Sequence, residues 1–226
     1  MRLDKYLVEC GVGSRSEVKK MISSGDITIN NVKCRDNTKS LKEGVDSVNY
    51  NDEKIIYKEF RYYILYKLDG YITATEDKKE KTVMELLPSW VNQKDLFPIG
   101  RLDKDTEGLL LFSNDGKLAH ELTSPKKHVD KIYRVSLKNE ITDEAISKLE
   151  EGVDIGGYIT KEAKVQVVSE KEILLTIKEG KFHQVKKMMI GVGNEVIYLK
   201  RETFGKLILG DLKPGEVREI ERCDVI

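Results

Sequence analysis

The sequence contains few cysteines, few prolines and no long apolar run, and each shortage excludes a class of protein. Its three cysteines, Cys10, Cys34 and Cys223, lie far apart and form no CxxC pair. They therefore indicate neither a disulfide framework nor a zinc site. The three histidines are equally scattered, so we expect no metal site.

The sequence also gives no reason to expect a membrane or secreted protein. No apolar run reaches the length that a membrane-spanning helix needs, and the first five residues, Met-Arg-Leu-Asp-Lys, lack the apolar region of a signal peptide. Only 4 prolines are present, while 39% of the residues are hydrophobic and 35% are charged. This composition indicates a packed core under a charged surface, and we expect a cytosolic protein without a membrane partner.

Positive charge is clustered although the formal net charge is +0. Residues 1–40 carry 8 Lys and Arg against 5 Asp and Glu, whereas residues 41–60 carry 3 against 5. Two further basic groups are Lys126, Lys127, Lys131 and Arg134, and Lys178, Lys181, Lys186 and Lys187. Local clusters of this kind are what an anionic partner such as a nucleic acid requires.

The first segment is typical of a helix-helix-hairpin unit. Leu3 and Leu7 recur at helical spacing, Ser14-Arg15-Ser16-Glu17 has the spacing of a capping box, and Gly25 is a C-terminal cap. Alternation over 26–29 predicts a strand, which returns after Asn30-Asn31. The basic residues of this unit are candidates for RNA contact: Arg2, Lys5, Arg15, Lys19 and Lys20.

These residues resemble the alpha-L RNA-binding module of the ribosomal protein S-four type. The resemblance is carried by Arg-Leu-Asp-Lys-Tyr-Leu, Ser-Arg-Ser-Glu and Gly-Asp-Ile-Thr-Ile-Asn. It covers about fifty residues, and we place the module with its linker at 1–58 and a second domain at 59–226.

The second domain is predicted to be α+β with a mixed, largely antiparallel sheet, because strands outnumber helices and do not alternate strictly with them. Predicted strands are 61–67, 70–75, 109–113, 131–137, 164–168, 173–177, 195–201, 206–209 and 216–220. Predicted helices are 82–88, 117–122, 142–151 and 182–191.

The most informative segment is Gly100-Arg101-Leu102-Asp103-Lys104-Asp105-Thr106-Glu107-Gly108, which directly precedes the apolar run Leu109–Phe112. A carboxylate at the mouth of a buried strand is poorly hydrated, and a neighbouring cation keeps it ionised. This arrangement suits a nucleophile. The alternative from the residues alone is a charged turn before a core strand.

Two more motifs accompany it. Lys131-Ile132-Tyr133-Arg134-Val135 sets an aromatic ring between cations, and 179–188 supplies a glycine turn followed by a basic helix. Together the three motifs resemble the ribosomal RNA pseudouridine synthases of the RsuA-like family, and the resemblance runs nearly end to end. One departure is Leu68, which follows Lys67 where relatives commonly carry proline.

The resemblance implies roles for individual residues. Asp103, Tyr133 and Lys186 match the catalytic aspartate, the tyrosine that stacks on the target base and the basic partner of the aspartate. Residues implied in substrate binding are Arg101, Lys131, Lys187 (the alternative to Lys186) and Leu199. Lys126 and Lys127 are expected to contact the RNA backbone. Asp105 and Glu107 are interpreted as structural.

The chemistry agrees with those roles. Cleavage of the bond between ribose and uracil needs no cofactor when a carboxylate attacks or stabilises charge. An aromatic face holds the detached base, and the nucleotide must leave the stack to react. The resemblance implies a cofactor-free synthase that acts on small-subunit (16S) ribosomal RNA. We expect a monomer whose partner is ribosomal RNA or a ribosome-assembly intermediate.

Three alternatives remain open. The first is a large-subunit (23S) rRNA synthase, which the sequence His183-Gln184-Val185-Lys186-Lys187 disfavours. The second is a non-catalytic rRNA-binding assembly factor, which would not need a carboxylate facing an anionic ligand. The third is a glycosidase that pairs Asp103 with Asp105 or Glu107.

Overall fold

The computed structural model describes residues 1–42, 44–124 and 129–226. Within these ranges the chain divides into two compact units, Met1–Phe60 with Ser89–Leu96 and Arg61–Pro88 with Phe97–Ile226. None of the helices in the described ranges is long and apolar enough to cross a membrane.

The first unit packs two helices against a small antiparallel sheet. Its elements are α1 Leu3–Glu9, α2 Arg15–Ser24, β1 Ile27–Ile29, β2 Val32–Lys33, β3 Val48–Tyr50 and β4 Glu53–Ile55, with the strand order β2-β1-β3-β4. The predicted capping box is confirmed, because Ser14 Oγ accepts from the Glu17 N–H and the Glu17 carboxylate accepts from the Ser14 N–H. Gly25 ends α2 with a φ of +85°. The core contains Leu3, Leu7, Val18, Ile22, Ile27 and Val48.

Residues 89–96 belong to this first unit although they lie inside the second domain of the sequence-based division. Asn92 Nδ2 donates to the carbonyl oxygen of Glu9 at 2.8 Å, and Lys94 Nζ lies 2.5 Å from a Glu9 carboxylate oxygen. The segment is therefore fastened to the end of α1, and removal of residues 1–58 would leave it without these partners.

The second unit is built on one large sheet. Its strands are β5 Tyr62–Lys67, β6 Phe97–Ile99, β7 Glu107–Ser113, β8 Lys131–Leu137, β9 Lys164–Ser169, β10 Glu172–Ile177, β11 Val196–Phe204, β12 Leu207–Ile208 and β13 Val217–Ile220. Its helices are α3 Gly116–Thr123, α4 Asp143–Glu151, α5 Gln184–Gly191 and α6 Arg222–Val225, with a short 3-10 helix at Val83–Leu86.

The strand order is β13-β5-β7-β11-β8-β10-β9, with β6 on β7 and β12 on β11. Strands β7 and β11 are parallel, and the other pairings in the described ranges are antiparallel. The α+β class with a mixed, largely antiparallel sheet is confirmed.

Strand β7 lies in the middle of this sheet and is covered on both faces. Leu109, Leu110, Leu111 and Phe112 have no exposed surface, which explains why the strand is a continuous apolar run rather than an alternating one. Leu118 and Leu122 of α3 pack over one face. A rigid strand thus begins directly after the charged segment.

One predicted element was wrong, and another begins later than predicted. Residues 70–75 do not form a strand, because Gly70 turns with a φ of +86° and its N–H donates to Lys104 O; only Ile72 forms an isolated bridge, with Thr82. Helix α5 begins at Gln184 and not at 182, because His183 has a φ of +52°. Both deviations lie beside the charged segment.

Candidate active site

Asp103 lies on the loop that joins β6 to β7, and this loop is tied down by a buried lysine. Lys67 has no exposed surface, and its Nζ donates to the carbonyl oxygens of Leu68, Lys104 and Thr106 at 3.0, 3.0 and 2.7 Å. The Lys67 ammonium group at the end of β5 therefore binds the loop carbonyls on both sides of Asp105.

A second anchor holds the residue before Asp103. Thr73 Oγ1 donates to Leu102 O at 2.8 Å and accepts from Leu102 N at 3.1 Å. The N–H of Thr106 closes a turn by donating to Asp103 O at 3.1 Å. The backbone of Asp103 is thus fixed from both sides, while its side chain stays 27% exposed.

Two side chains from the start of α5 face the Asp103 carboxylate. Lys186 Nζ lies 3.6 Å from Oδ2, and His183 Nε2 lies 3.6 Å from Oδ1. Lys186 is closer still to Asp105, at 2.5 Å. One ammonium group therefore serves two carboxylates, and Asp103 keeps oxygen lone pairs for a ligand.

Asp105 differs from Asp103 in how fully it is paired. Burial alone would raise the pKa of Asp105, but the hydrogen bond and charge of Lys186 outweigh burial and lower it below the usual value. The neighbouring Lys187 lies elsewhere, with its Nζ 5.3 Å from the centroid of the Phe182 ring. Of the two adjacent lysines, Lys186 is the one that the structure brings to Asp103.

The carboxylate faces a cavity of about 340 Å³. Tyr133 from β8 and Leu199 from β11 form part of its wall, and their exposed fractions are 8% and 4%. Arg101, Phe182 and His183 also line it. The structure thus brings together the predicted aspartate, tyrosine and leucine, which come from three separate strands or loops, with the predicted lysine next to them.

Arg101 and Lys131 border the same region. Arg101 is exposed and makes no ion pair with any residue in the described ranges. Lys131 donates to Val129 O at 2.9 Å, and burial, followed by the nearby charge of Arg201, lowers its pKa to about 8. Both side chains line the wall beside Tyr133.

The predicted RNA contacts of the first unit also gather in one place. Arg2, Lys5, Arg15 and Lys19 line a cavity of about 440 Å³ together with Lys94. Lys20 is exposed on α2 but does not line it. Lys126 and Lys127 lie outside the described residues.

Sequence reasoning missed two groups, namely Lys67 and Arg201. Each acts through distant partners, since Lys67 reaches the loop some forty residues later. A charged residue at the end of a fully apolar strand, as in Tyr62–Lys67, is the signal that could have pointed to Lys67. The interpretation of Glu107 as structural agrees with its geometry, because its Oε2 accepts from Tyr198 Oη at 2.7 Å and from Tyr66 Oη at 3.5 Å.

We expect Lys67→Met to lower kcat by roughly 10- to 100-fold while KM changes little, because the loop carbonyls lose their common donor and Asp103 loses its fixed position. Lys78→Met, which removes an exposed lysine from a neighbouring loop, is the matched control and should keep the parental kcat. Steady-state kinetics of both variants test this. An unchanged kcat in Lys67→Met would refute the positioning role.

Stability should also depend on pH in a defined direction. Burial lowers the pKa of Lys67 and Lys131 to about 8, whereas an unfolded lysine titrates near 10.5. From pH 8 upward the unfolded state therefore binds more protons, so the free energy of unfolding rises, by at most about 1.4 kcal/mol per pH unit for each lysine. Above about pH 10 the effect reverses, since burial first of all raises the pKa of Tyr62, to about 12, and that of Tyr198.

Urea denaturation between pH 7 and pH 10 measures this profile. Lys131→Met should remove about half of the rise, because one of the two lysines is gone. A free energy of unfolding that falls between pH 8 and pH 9.5 would contradict the assignment of both lysines.

The arrangement can support chemistry on a flipped nucleotide. A partly exposed carboxylate with a shared cation suits nucleophilic attack or charge stabilisation. The adjoining aromatic and aliphatic wall suits a planar base, for which stacking contributes about 1–3 kcal/mol.

The sequence was compared with known families and structures. The family described as RNA pseudouridylate synthase matches residues 61–190, and the S4 domain matches residues 1–46. YtzG of Bacillus subtilis, an RNA pseudouridine synthase named as uncharacterized, is 48% identical over 97% of this chain and 95% of its own.

Two further relatives carry the name ribosomal small subunit pseudouridine synthase A. The protein of Vibrio cholerae is 39% identical and that of Escherichia coli K12 is 36% identical, each over 100% of this chain and 98% of its own. A crystal structure titled as a pseudouridylate synthase superimposes with a TM-score of 0.69 at 30% identity, over 100% of this chain and 98% of that chain.

Proposed function

Because the chain belongs to the RNA pseudouridylate synthase family and carries an S4 domain, we propose that it isomerises one uridine of small-subunit ribosomal RNA, with Asp103 as the essential carboxylate. Members of this family isomerise uridine to pseudouridine in RNA, so the reaction class is that of an isomerase. The choice of small-subunit ribosomal RNA and the role of Asp103 are what we propose beyond this reaction class.

The main observation behind this proposal is that Asp103 lies beside both Lys186 and Tyr133. Lys186 Nζ lies 3.6 Å from Asp103 Oδ2, and Asp103 and Tyr133 line one cavity. The carboxylate attacks or stabilises the reacting uridine as the bond from ribose to the uracil nitrogen breaks. Tyr133 holds the detached base by stacking while it turns to present its carbon.

The overall reaction conserves all atoms. The bond from ribose to nitrogen breaks, a bond from ribose to carbon forms, and the proton lost from that carbon is replaced on nitrogen. We propose that the Tyr133 hydroxyl moves that proton, directly or through water. All residues named for these steps lie on one chain, which is why we propose that the monomer is active.

The choice of small-subunit RNA is supported by the names of full-length relatives. The Vibrio cholerae and Escherichia coli proteins, named for the small ribosomal subunit, cover the whole chain. The motif at 183–187 points the same way. In it, Gln184 is buried, its Oε1 accepts from Lys181 N at 2.8 Å and its Nε2 donates to Glu179 Oε1 at 3.1 Å.

Mapping pseudouridine in ribosomal RNA from cells with and without this protein tests the proposal. We expect one small-subunit position to lose its pseudouridine and to regain it on complementation with the wild type but not with Asp103→Asn. Loss of a large-subunit position would refute the choice of RNA. An unchanged map together with an assembly defect would favour the non-catalytic assembly factor.

The basic cavity of the first unit should set the salt dependence of RNA binding. Replacing Lys5, Arg15 and Lys19 by Gln should reduce the slope of log K against log salt concentration by about 2, because each phosphate contact contributes about 0.7–0.9. Gln at Lys33, Lys42 and Lys54, which do not line the cavity, removes the same charge as a control. Equal slopes for the two triple variants would contradict this role.

A further inference from the structure

A second, larger cavity adjoins the one that holds Asp103. Its volume is about 660 Å³, and it shares Arg101, Tyr133, Gly180 and Lys181 with the Asp103 cavity. Tyr133 is therefore a wall between the two. A ligand whose base lies against the Asp103 side can extend past this ring without leaving the protein surface.

The larger cavity contains a buried guanidinium with an unused donor. Arg201 of β11 lines it and is only 1% exposed. Its Nε donates to Leu109 O at 2.8 Å, but its Nη2 has no hydrogen-bond partner among the described residues. A buried donor without a hydrogen-bond partner costs about 1–3 kcal/mol, and more when it is charged. An acceptor from a bound ligand would remove this cost, since the described residues supply none.

Lys131 lies beside this guanidinium. Lys131 Nζ is 5.5 Å and Arg201 Cζ is 5.0 Å from the centroid of the same ring, that of Phe204. The pKa of Lys131 is lowered to about 8 by burial and by Arg201, against the opposing charges of Asp130 and Glu179. Two like charges in one recess create a positive potential that a bound anion would relieve.

The one carboxylate that lines the cavity in the described ranges is already engaged. Glu179 Oε2 accepts from Tyr158 Oη at 2.9 Å, and its Oε1 accepts from the N–H of Lys161 at 2.9 Å. Among the described residues it forms no hydrogen bond with Arg201. Six Lys and Arg side chains line the cavity against this single acid: Arg101, Lys131, Lys161, Lys178, Lys181 and Arg201.

We propose that this cavity is an oxyanion site that receives a backbone phosphate of the RNA next to the target uridine, with Arg201 and Lys131 as its ligands. The inference rests on the proposed function, because Tyr133 joins this site to the candidate catalytic cavity. A guanidinium and an ammonium that line one cavity match the oxygens of a phosphodiester. A phosphodiester also carries the negative charge that this positive recess favours, whereas a base is uncharged.

A phosphate bound here would also help to position the target nucleotide around Tyr133. The phosphate on one side and the carboxylate on the other fix the target nucleotide at two points, which orients the ribose for reaction. Because a phosphate is present in the substrate before and after isomerisation, the site binds ground state and transition state alike. Its loss should raise KM more than it lowers kcat.

A neutral-linkage experiment tests this. A small-subunit RNA fragment that contains the target uridine is prepared with single uncharged methylphosphonate linkages at successive positions. We expect one linkage beside the target to raise KM about 10-fold for the wild type, as for loss of a charge-assisted hydrogen bond. The same linkage should raise KM by a smaller factor in Lys131→Met, in which Arg201 alone remains to contact that phosphate.

Arg201→Lys should behave as Lys131→Met does, and Lys148→Met, on the exposed face of α4, should keep the wild-type pattern. A penalty of equal size in wild type and Lys131→Met would overturn the proposal, as would a linkage scan without any penalty. NMR spectra of the backbone amides check that the variants are folded. If Arg201→Lys does not fold, the result for Lys131→Met alone tests the proposal.

Inorganic phosphate is the second probe and separates this inference from the proposed function. Titrated into the full chain, it should shift the amide signals of Gly100 and Gly180 in the wild type and not in Lys131→Met. Shifts at these glycines without turnover of any ribosomal RNA would refute the proposed function and the RNA source of the anion, leaving a site for a free phosphate compound. Absence of the shifts would overturn the site itself.

Discussion

Asp103→Asn is expected to abolish isomerisation, with kcat reduced by more than about 10⁴-fold, the order of loss found when a nucleophile is removed. The amide keeps the shape of the carboxylate but neither attacks nor stabilises a developing positive charge. RNA affinity should be unchanged within about 3-fold, because removing a negative charge does not weaken binding to a polyanion. Turnover and filter binding on the same RNA measure the two effects.

Asp105→Asn is the matched control. Lys186 Nζ lies 2.5 Å from the Asp105 carboxylate and 3.6 Å from that of Asp103. Removing the charge of Asp105 therefore frees Lys186 to approach Asp103. We expect kcat to fall by less than about 10-fold, since the group that carries the chemistry remains. A larger loss in Asp105→Asn than in Asp103→Asn would exchange the roles of the two carboxylates and refute the assignment.

The partners of these carboxylates also explain how three acidic residues can lie so close together before β7. Lys186 compensates Asp105, and the hydroxyl groups of Tyr198 and Tyr66 donate to Glu107. Two of the three acids are therefore held by specific partners. Within the described ranges the Asp103 carboxylate has only the longer contacts to Lys186 and His183, which keeps it available to a ligand.

The local features of the fold could be predicted because their causes are local. The cap of α2 depends on Ser14 and Glu17, three positions apart, and β8 matches its predicted range because apolar and polar residues alternate from Lys131 to Leu137. The class of the sheet followed from the ratio of strands to helices. These patterns need no information about distant contacts.

The candidate site was predictable only where a motif carries it. Asp103 and Tyr133 lie in short motifs, whereas the hydrogen bonds of Lys67 and the burial of Arg201 arise from pairing between strands far apart in the sequence. The failed strand at 70–75 has the same cause. Its residues alternate suitably, but Gly70 and Ile72 are paired with Lys104 and Lys81 instead of a neighbouring strand.

Gly108→Ala is expected to lower the free energy of unfolding by roughly 3–5 kcal/mol, a large part of the stability of a domain. A Cβ at Gly108 would lie 2.3 Å from the carbonyl oxygen and 2.8 Å from the backbone nitrogen of Arg201, and the φ of +102° is one that side chains rarely adopt. Backbone atoms cannot rotate away as a side chain can. The substitution must therefore separate β7 from β11.

Gly116→Ala is the control for this variant, since its Cβ would meet nothing within 4 Å and the residue begins α3. Alanine favours a helix over glycine by up to about 1 kcal/mol, so its stability should be unchanged or slightly higher. Urea denaturation of both variants separates a specific clash from a general cost of replacing glycine. If Gly108→Ala were as stable as Gly116→Ala, the two strands would not meet as closely as described. A destabilised but folded Gly108→Ala should also lose activity, because β7 carries the Asp103 loop and β11 carries Leu199 and Arg201, so one pairing sets the distance between the carboxylate and the wall that faces it.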